Sequence, residues 1–66
     1  MLGEGERVSP ALRGVRLDEA RRMLRAAGFG CRVRRADDSD PSDTDLVVTQ
    51  TWEPDSDGVI EIVTAP

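Results

Sequence analysis

Residues 17–29 read LDEARRMLRAAGF, and this stretch decides the fold. Its apolar residues Leu17, Ala20, Leu24 and Ala27 are spaced three or four residues apart, so they share one face of a helix. The arginines between them lie off that face. The spacing therefore predicts a helix over residues 17–27 that packs its apolar stripe against the rest of the domain.

The two ends of this helix carry different signals. Asp18 and Glu19 fall in the first turn, where the helix dipole stabilises negative charge. Gly28 follows the last periodic residue and is typical of a helix stop. Arg16 occupies the N-cap position, where Ser, Thr or Asp would contribute about 1 kcal/mol more. We therefore expect a clear C-terminal boundary and a weakly capped start.

Three segments after the helix alternate apolar and polar residues, which predicts strands over residues 29–36, 46–52 and 59–63. An acidic loop that contains Pro41 separates the first two, and a turn ending in Asp57-Gly58 separates the last two. One helix followed by three strands predicts the α+β class, with one helix packed on a small three-stranded antiparallel sheet.

We expect the core to form where Leu24, Val33, Val48 and Ile62 meet in one cluster. Cys31 shares the inward face of the first predicted strand with Val33. We therefore interpret Cys31 as an inert buried thiol rather than a reactive one.

The chain has 66 residues, which is the length of one domain. Residues 1–7 contain two glycines and three charged side chains, so we expect a flexible leader followed by a single domain over residues 8–66. No apolar run approaches the ~18 residues of a membrane span, and the acidic N-terminus is unlike a secretory signal. We expect a monomer without membrane insertion. It is cytoplasmic if this is the whole chain, and extracytoplasmic if it is excised from a larger membrane-anchored protein.

The charge is divided between the two halves of the chain. Residues 1–35 hold all nine basic residues, every one an arginine, and four acids, whereas residues 36–66 hold nine acids and no base. The arginine-rich half is suited to an acidic or phosphate-bearing partner; the alternative is that the two halves pair within the fold. Nucleic-acid binders usually combine net positive charge with stacking aromatics. The net charge of -4 and the two aromatic residues therefore predict that nucleic acid is not the partner.

The composition also argues against catalysis. The chain has no His, Lys or Tyr and a single Cys, so the commonest general bases and metal ligands are missing. Asp38, Asp40 and Ser42 have the alternate spacing of a calcium loop, but Asp43 stands where such a loop needs Gly. We expect no enzyme activity, no cofactor and no metal.

Four residues are candidates for ligand binding. Arg32 and Arg34 lie on the outer face of the first predicted strand, where guanidinium groups bind a carboxylate or phosphate, although they can instead pair with acids on a neighbouring strand. Gln50 and Trp52 share a face of the second predicted strand. Trp52 is either an exposed platform or the largest side chain of the core, and the scarcity of aromatics favours the core.

The order of several short motifs resembles a PASTA domain, the penicillin-binding-protein and serine/threonine-kinase-associated domain. In chain order these motifs are Pro10-Ala11-Leu12-Arg13-Gly14, Leu17-Asp18-Glu19-Ala20, Leu24, Gly28-Phe29, Val48-Thr49-Gln50 with the later Pro54, and Ile60-Glu61-Ile62. The resemblance covers residues 9–64. The chain departs from the family at Ser9, Arg16, Trp52 and Asp55, and its segment 54–60 is shorter.

The resemblance implies a shortened, divergent single copy of a non-catalytic binding module. Family members lie outside the membrane in tandem copies, on kinases and penicillin-binding proteins, and bind peptidoglycan fragments or β-lactams or dock protein partners. For this chain it implies a peptidoglycan-type cell-wall ligand or a protein partner. The alternative is a cytoplasmic protein–protein interaction module that docks an acidic partner on its arginine-rich half.

Overall fold

The computed structural model describes residues 8–66 and contains one helix and three strands. In chain order these elements are α1 (Leu17–Ala26), β1 (Gly30–Arg35), β2 (Leu46–Gln50) and β3 (Val59–Ala65). The predicted α+β class is therefore confirmed. The predicted leader over residues 1–7 lies outside the described residues. No helix within residues 8–66 has the length and apolar character needed to cross a membrane.

The sheet is mixed, so the predicted antiparallel sheet was wrong. The strand order is β1-β3-β2, with β3 parallel to β1 and antiparallel to β2. The loop after β1 reverses the chain but leaves a gap the width of one strand between β1 and β2. The β3 strand then fills this gap while running in the direction of β1. Alternation of apolar and polar residues indicates that a strand exists, but it is silent on which neighbour the strand pairs with.

The core lies between α1 and the inner face of the sheet. Its buried apolar residues are Leu12, Leu17, Ala20, Leu24, Phe29, Val47, Ile60 and Ile62, and Val33 packs against them. Leu24, Val33 and Ile62 thus meet as predicted, but Val48 is 42% exposed and Val47 takes its place in the core. The pairing register of β2 shifts between Val47 and Thr49, and this irregularity changes which residues face the helix.

Two further predictions about burial were wrong. Trp52 is 51% exposed rather than part of the core, because β2 ends at Gln50 and the chain bends away from the sheet before Trp52. Cys31 is exposed: it lies on the edge strand β1, beside an open cleft rather than under the apolar face of the helix. The period-2 pattern identified its inward face correctly, but a residue on that face is buried only where another element lies over it.

The predicted ends of the helix agree with the structure to within one residue. The helix ends at Ala26, Ala27 is the C-cap, and Gly28 has a φ of +88°, which glycine adopts without strain. Arg16 is the N-cap with extended backbone angles, and its side chain makes no capping hydrogen bond. The weak N-cap is therefore confirmed.

The two edges of the sheet differ in cover. Along the edge of β2 that faces away from β3, Gly14 N donates to the Val47 carbonyl at 2.8 Å and Val47 N donates to the Val15 carbonyl at 2.9 Å. Arg16 forms a further isolated bridge with Leu46. The segment before the helix thus occupies this edge, whereas β1 forms the other edge of the sheet.

Candidate interaction surface

The β1 strand presents backbone groups that the sheet does not use. Gly30 N donates to the Gly58 carbonyl and Ala36 N donates to the Thr64 carbonyl, both at 2.8 Å. Because a strand directs successive peptide groups to opposite sides, the even-numbered residues of β1 hydrogen-bond to β3. The N–H and C=O groups of Cys31 and Val33 therefore point to the free edge.

Arg32 and Arg34 lie together on the outer face of β1, as the sequence predicted. Their partners across the β1–β3 pair are Glu61 and Val63. Among the described residues, the Arg32 guanidinium reaches only the Asp55 carboxylate, at 4.0 Å, and the side chains of both residues are exposed. Within residues 8–66, Arg34 forms no ion pair. This outer face is also the face opposite the helix, and it carries no covering element within residues 8–66.

Two helix arginines extend this positive surface to the inner side of the strand. Arg21 and Arg25 line a cleft of about 240 Å³ together with Phe29, Gly30 and Cys31. Within the described part of the chain neither arginine forms an ion pair, whereas Arg16 and Arg22 of the same region are paired with Asp18 and Glu19. The helical spacing predicts that Arg21 and Arg25 lie off the apolar face, but a pattern within one helix does not predict that they lie beside β1.

The environment of Cys31 favours the thiol over the thiolate. Partial burial in the cleft raises the pKa of Cys31 above its usual value, and the charge of Arg21 opposes this shift without cancelling it. The exposed Cys31 is therefore a weak nucleophile near neutral pH.

Arg35 does not belong to this free positive surface. Its Nε lies 3.2 Å from Oδ2 of Asp45, which is 2% exposed, as an ion pair without hydrogen-bond alignment. The same carboxylate oxygen accepts hydrogen bonds from the buried Thr64 hydroxyl and from Ser42 N, each at 3.2 Å. We call these four residues the Asp45 cluster. It joins the end of β1, the start of β2 and the end of β3.

The Asp45 cluster distinguishes Asp45 from the other acids of the loop between β1 and β2. Asp37, Asp38, Asp40 and Asp43 are exposed, but Asp45 is buried. Its one sequence signal is its place directly before an apolar strand. Residues 8–66 contain no group of three or more His, Cys, Asp or Glu side chains arranged to hold a metal ion.

Gln50 faces the helix side and fastens the segment that precedes the helix. Its Oε1 accepts a hydrogen bond from Leu12 N at 2.7 Å. Its Nε2 donates to Ser9 Oγ at 2.8 Å and to the Pro10 carbonyl at 3.1 Å. The amide is therefore engaged in holding the fold together, on the opposite face of the sheet from Arg32.

Trp52 lies past the end of β2, where its carbonyl accepts a hydrogen bond from Ser9 N at 2.8 Å. Since β3 separates β1 from β2, these two strands are about 10 Å apart, and Trp52 lies on the β2 side of β3, away from the β1 arginines. The structure thus brings Arg32 and Arg34 together and adds Arg21 and Arg25 to them. Gln50 and Trp52 are not part of this group.

The turn before β3 is organised by Asp55. Its Oδ1 accepts hydrogen bonds from Asp57 N at 2.8 Å and from Val59 N at 3.0 Å. These bonds hold the pKa of Asp55 below its usual value, and Arg32 adds a smaller effect in the same direction. The predicted turn at Asp57-Gly58 is present, with Gly58 at a φ of +77°. The turn thus places the Asp55 carboxylate near the start of β1, close to Arg32.

No family model, curated protein or solved structure matches this chain. The resemblance to a PASTA domain therefore stays a prediction.

Proposed function

We propose that this protein is a non-catalytic binding module that docks an acidic segment of a protein partner on the arginine-bearing side of β1. The observation that carries the proposal is the grouping of Arg21, Arg25, Arg32 and Arg34 around an edge strand. Among the described residues, three of these four lack a carboxylate partner and the fourth has one at 4.0 Å.

The chemistry of arginine suits such a partner. A guanidinium group offers several N–H donors in a planar fork that matches a carboxylate, and it keeps its charge at every physiological pH. Exposed pairs of this kind individually contribute at most about 1 kcal/mol, so a useful affinity requires several arginines acting together. A basic patch on a protein of net charge -4 also steers an acidic partner to this one surface.

An NMR titration with hexaglutamate at low ionic strength tests the proposal. We expect the backbone amides of β1 and the side-chain Nε–H groups of Arg21 and Arg25 to shift. The variant Arg34→Glu should weaken binding about tenfold by replacing an attraction with a repulsion. Arg13→Glu is the matched control, because Arg13 is exposed, precedes the segment that covers the opposite edge, and changes the net charge equally.

Two results would contradict the proposal. One is an absence of shifts in β1 at millimolar hexaglutamate. The other is an equal loss of affinity in Arg34→Glu and Arg13→Glu, because this would mean that total charge rather than the β1 surface governs binding.

A second candidate is recognition of a peptidoglycan-type fragment. The exposure of Trp52 supports it, since an exposed indole is suited to stacking on a sugar ring. Arg32 and Arg34 would then bind a stem-peptide carboxylate as a separate contact. Titration with muropeptide fragments should change the fluorescence of Trp52, the single tryptophan. If Trp52 fluorescence does not change at millimolar fragment, while the protein binds hexaglutamate in a separate titration, binding of an acidic protein segment remains as the function.

Both candidates describe a monomer that acts by binding alone, and neither needs a cofactor. An acidic protein segment is available in any compartment, whereas a cell-wall fragment requires a position outside the membrane. A position inside the membrane would therefore exclude the cell-wall fragment independently of the titrations, whereas a position outside it is compatible with both candidates.

A further inference from the structure

The free edge of β1 offers more than positive charge. We infer that the acidic partner segment adds to the sheet as a fourth strand along β1. This inference rests on the proposed function and specifies how the segment is bound. Strand addition would bring main-chain hydrogen bonds that a purely electrostatic contact lacks.

The free edge of β1 carries backbone N–H and C=O groups that have no hydrogen-bond partner among the described residues. Cys31 and Val33 direct their N–H and C=O groups away from β3, and within residues 8–66 nothing pairs with them. The Arg35 carbonyl already accepts a hydrogen bond from Asp38 N at 2.9 Å, so the open edge ends there. The opposite edge of the sheet is occupied at Val47. An incoming strand can therefore pair with β1 through the unpaired backbone groups of Cys31 and Val33.

The side chains along β1 specify the sequence that such a strand needs. Residues of the added strand that point to the outer face would lie beside Arg32 and Arg34, where carboxylates are favoured. Residues of the added strand that point inward would lie beside Cys31 and Val33. Small aliphatic side chains are favoured there, because they bury apolar surface. The inferred partner segment therefore alternates acidic and aliphatic residues. An acid at its end near Gly30 would meet Arg21 and Arg25 in the cleft.

The same arginines disfavour the commonest competing occupant, a second copy of β1. Two β1 strands paired edge to edge would bring Arg32 and Arg34 of one copy beside those of the other. Like charges on neighbouring strands are destabilising, and charged residues are a usual protection of an edge strand. An acidic strand turns this repulsion into attraction, so the charge selects for the partner and against self-pairing.

The test uses a short synthetic peptide in which Glu and Val alternate, measured by fluorescence anisotropy. Two N-methylated versions serve as mutual controls, one methylated at every Glu nitrogen and one at every Val nitrogen. In a strand these two sets of N–H groups point to opposite sides. Strand addition predicts that one version binds at least about tenfold more weakly, through lost hydrogen bonds, while the other binds like the unmodified peptide. Which one weakens reports whether the added strand is parallel or antiparallel to β1.

Hydrogen exchange on the protein gives a second readout. Binding of the unmodified peptide should slow exchange at the amides of Cys31 and Val33 much more than at Arg32 and Arg34, which already bond to β3. Equal affinities for all three peptides, or an equal loss for both methylated versions, would overturn strand addition while leaving the proposed function intact. If neither the alternating peptide nor hexaglutamate binds, the proposed function itself fails.

Discussion

Replacing Asp45 tests whether the buried ion pair holds the three strand ends together. The carboxylate is 2% exposed and contacts Arg35 Nε, Thr64 Oγ1 and Ser42 N, each at 3.2 Å. Removing one member of a buried ion pair costs about 3–5 kcal/mol, because the remaining charge stays without compensation. The Arg35 side chain is 20% exposed and lies 3.7 Å from Asp37 Oδ1, so we expect a cost near the lower end, about 3 kcal/mol, for Asp45→Ala.

This cost is large for a domain of 66 residues. At roughly 0.05–0.15 kcal/mol per residue, its total free energy of unfolding is about 3–10 kcal/mol. The Asp45→Ala variant should therefore lose about a third or more of this free energy. Asp45→Asn retains the shape and one acceptor for the Thr64 hydroxyl, so its cost should be about 1–3 kcal/mol.

Urea denaturation followed by far-UV circular dichroism measures both variants. Asp40→Asn is the matched control, because Asp40 is exposed in the same loop and the change in charge is identical; it should stay within about 0.5 kcal/mol of the wild type. The double variant Asp45→Asn/Arg35→Met completes a cycle that isolates the coupling of the pair. A loss of stability in Asp45→Asn no larger than in Asp40→Asn would refute the reasoning. So would a double variant that costs the sum of the two single changes.

Four further predictions concern single residues. Arg16→Thr should raise stability by about 1 kcal/mol in thermal unfolding, since the N-cap has extended angles and no side-chain cap; an unchanged midpoint would contradict this. Gln50→Ala should lower stability by about 1–3 kcal/mol by freeing the segment before the helix, whereas Thr49→Ala, the exposed control, should change little. Cys31 should react with iodoacetamide more slowly than free cysteine at neutral pH, because its pKa is raised; an equal rate would contradict this. Asp55 has a lowered pKa, so its stabilising effect is present above the usual Asp pKa of 3.8 and is lost as the pH falls through the folded value. Asp55→Asn should therefore flatten the fall in stability below that pH.

A feature could be predicted from the sequence where the residues that determine it all lie within one helix or one strand. The helix is specified by the spacing from Leu17 to Leu24 and by Gly28, all of which are local. The positions of Arg32 and Arg34 also follow from alternation within one strand. The inner face of β2 could not be predicted in the same way, because the register shift after Val47 arises from pairing with a distant strand.

The missed features depend on contacts between residues far apart in the chain. Gln50 reads as a surface amide in its own strand, yet its bonds reach residues about 40 positions earlier. Asp45 reads as one more acid in an acidic loop, and only the meeting of the three strand ends makes it a buried partner of Arg35. Polar residues with such roles have the same local pattern as solvated ones. Local sequence patterns therefore predict more solvent-exposed polar side chains than the structure contains.

The parallel pairing of β1 with β3 also sets the length of the segment that the proposed site accepts. This topology places the acidic turn that contains Asp55 at the start of β1, where Gly58 accepts the hydrogen bond from Gly30 N. It leaves Asp37 and Asp38 one residue beyond the end of β1, after Ala36. An acidic strand longer than the six residues of β1 would meet negative charge at both ends. The fold thus favours a partner whose acidic stretch matches β1 in length and is followed on either side by neutral or basic residues. Charge complementarity in the middle of the strand and repulsion at its ends would together fix the register of the added strand.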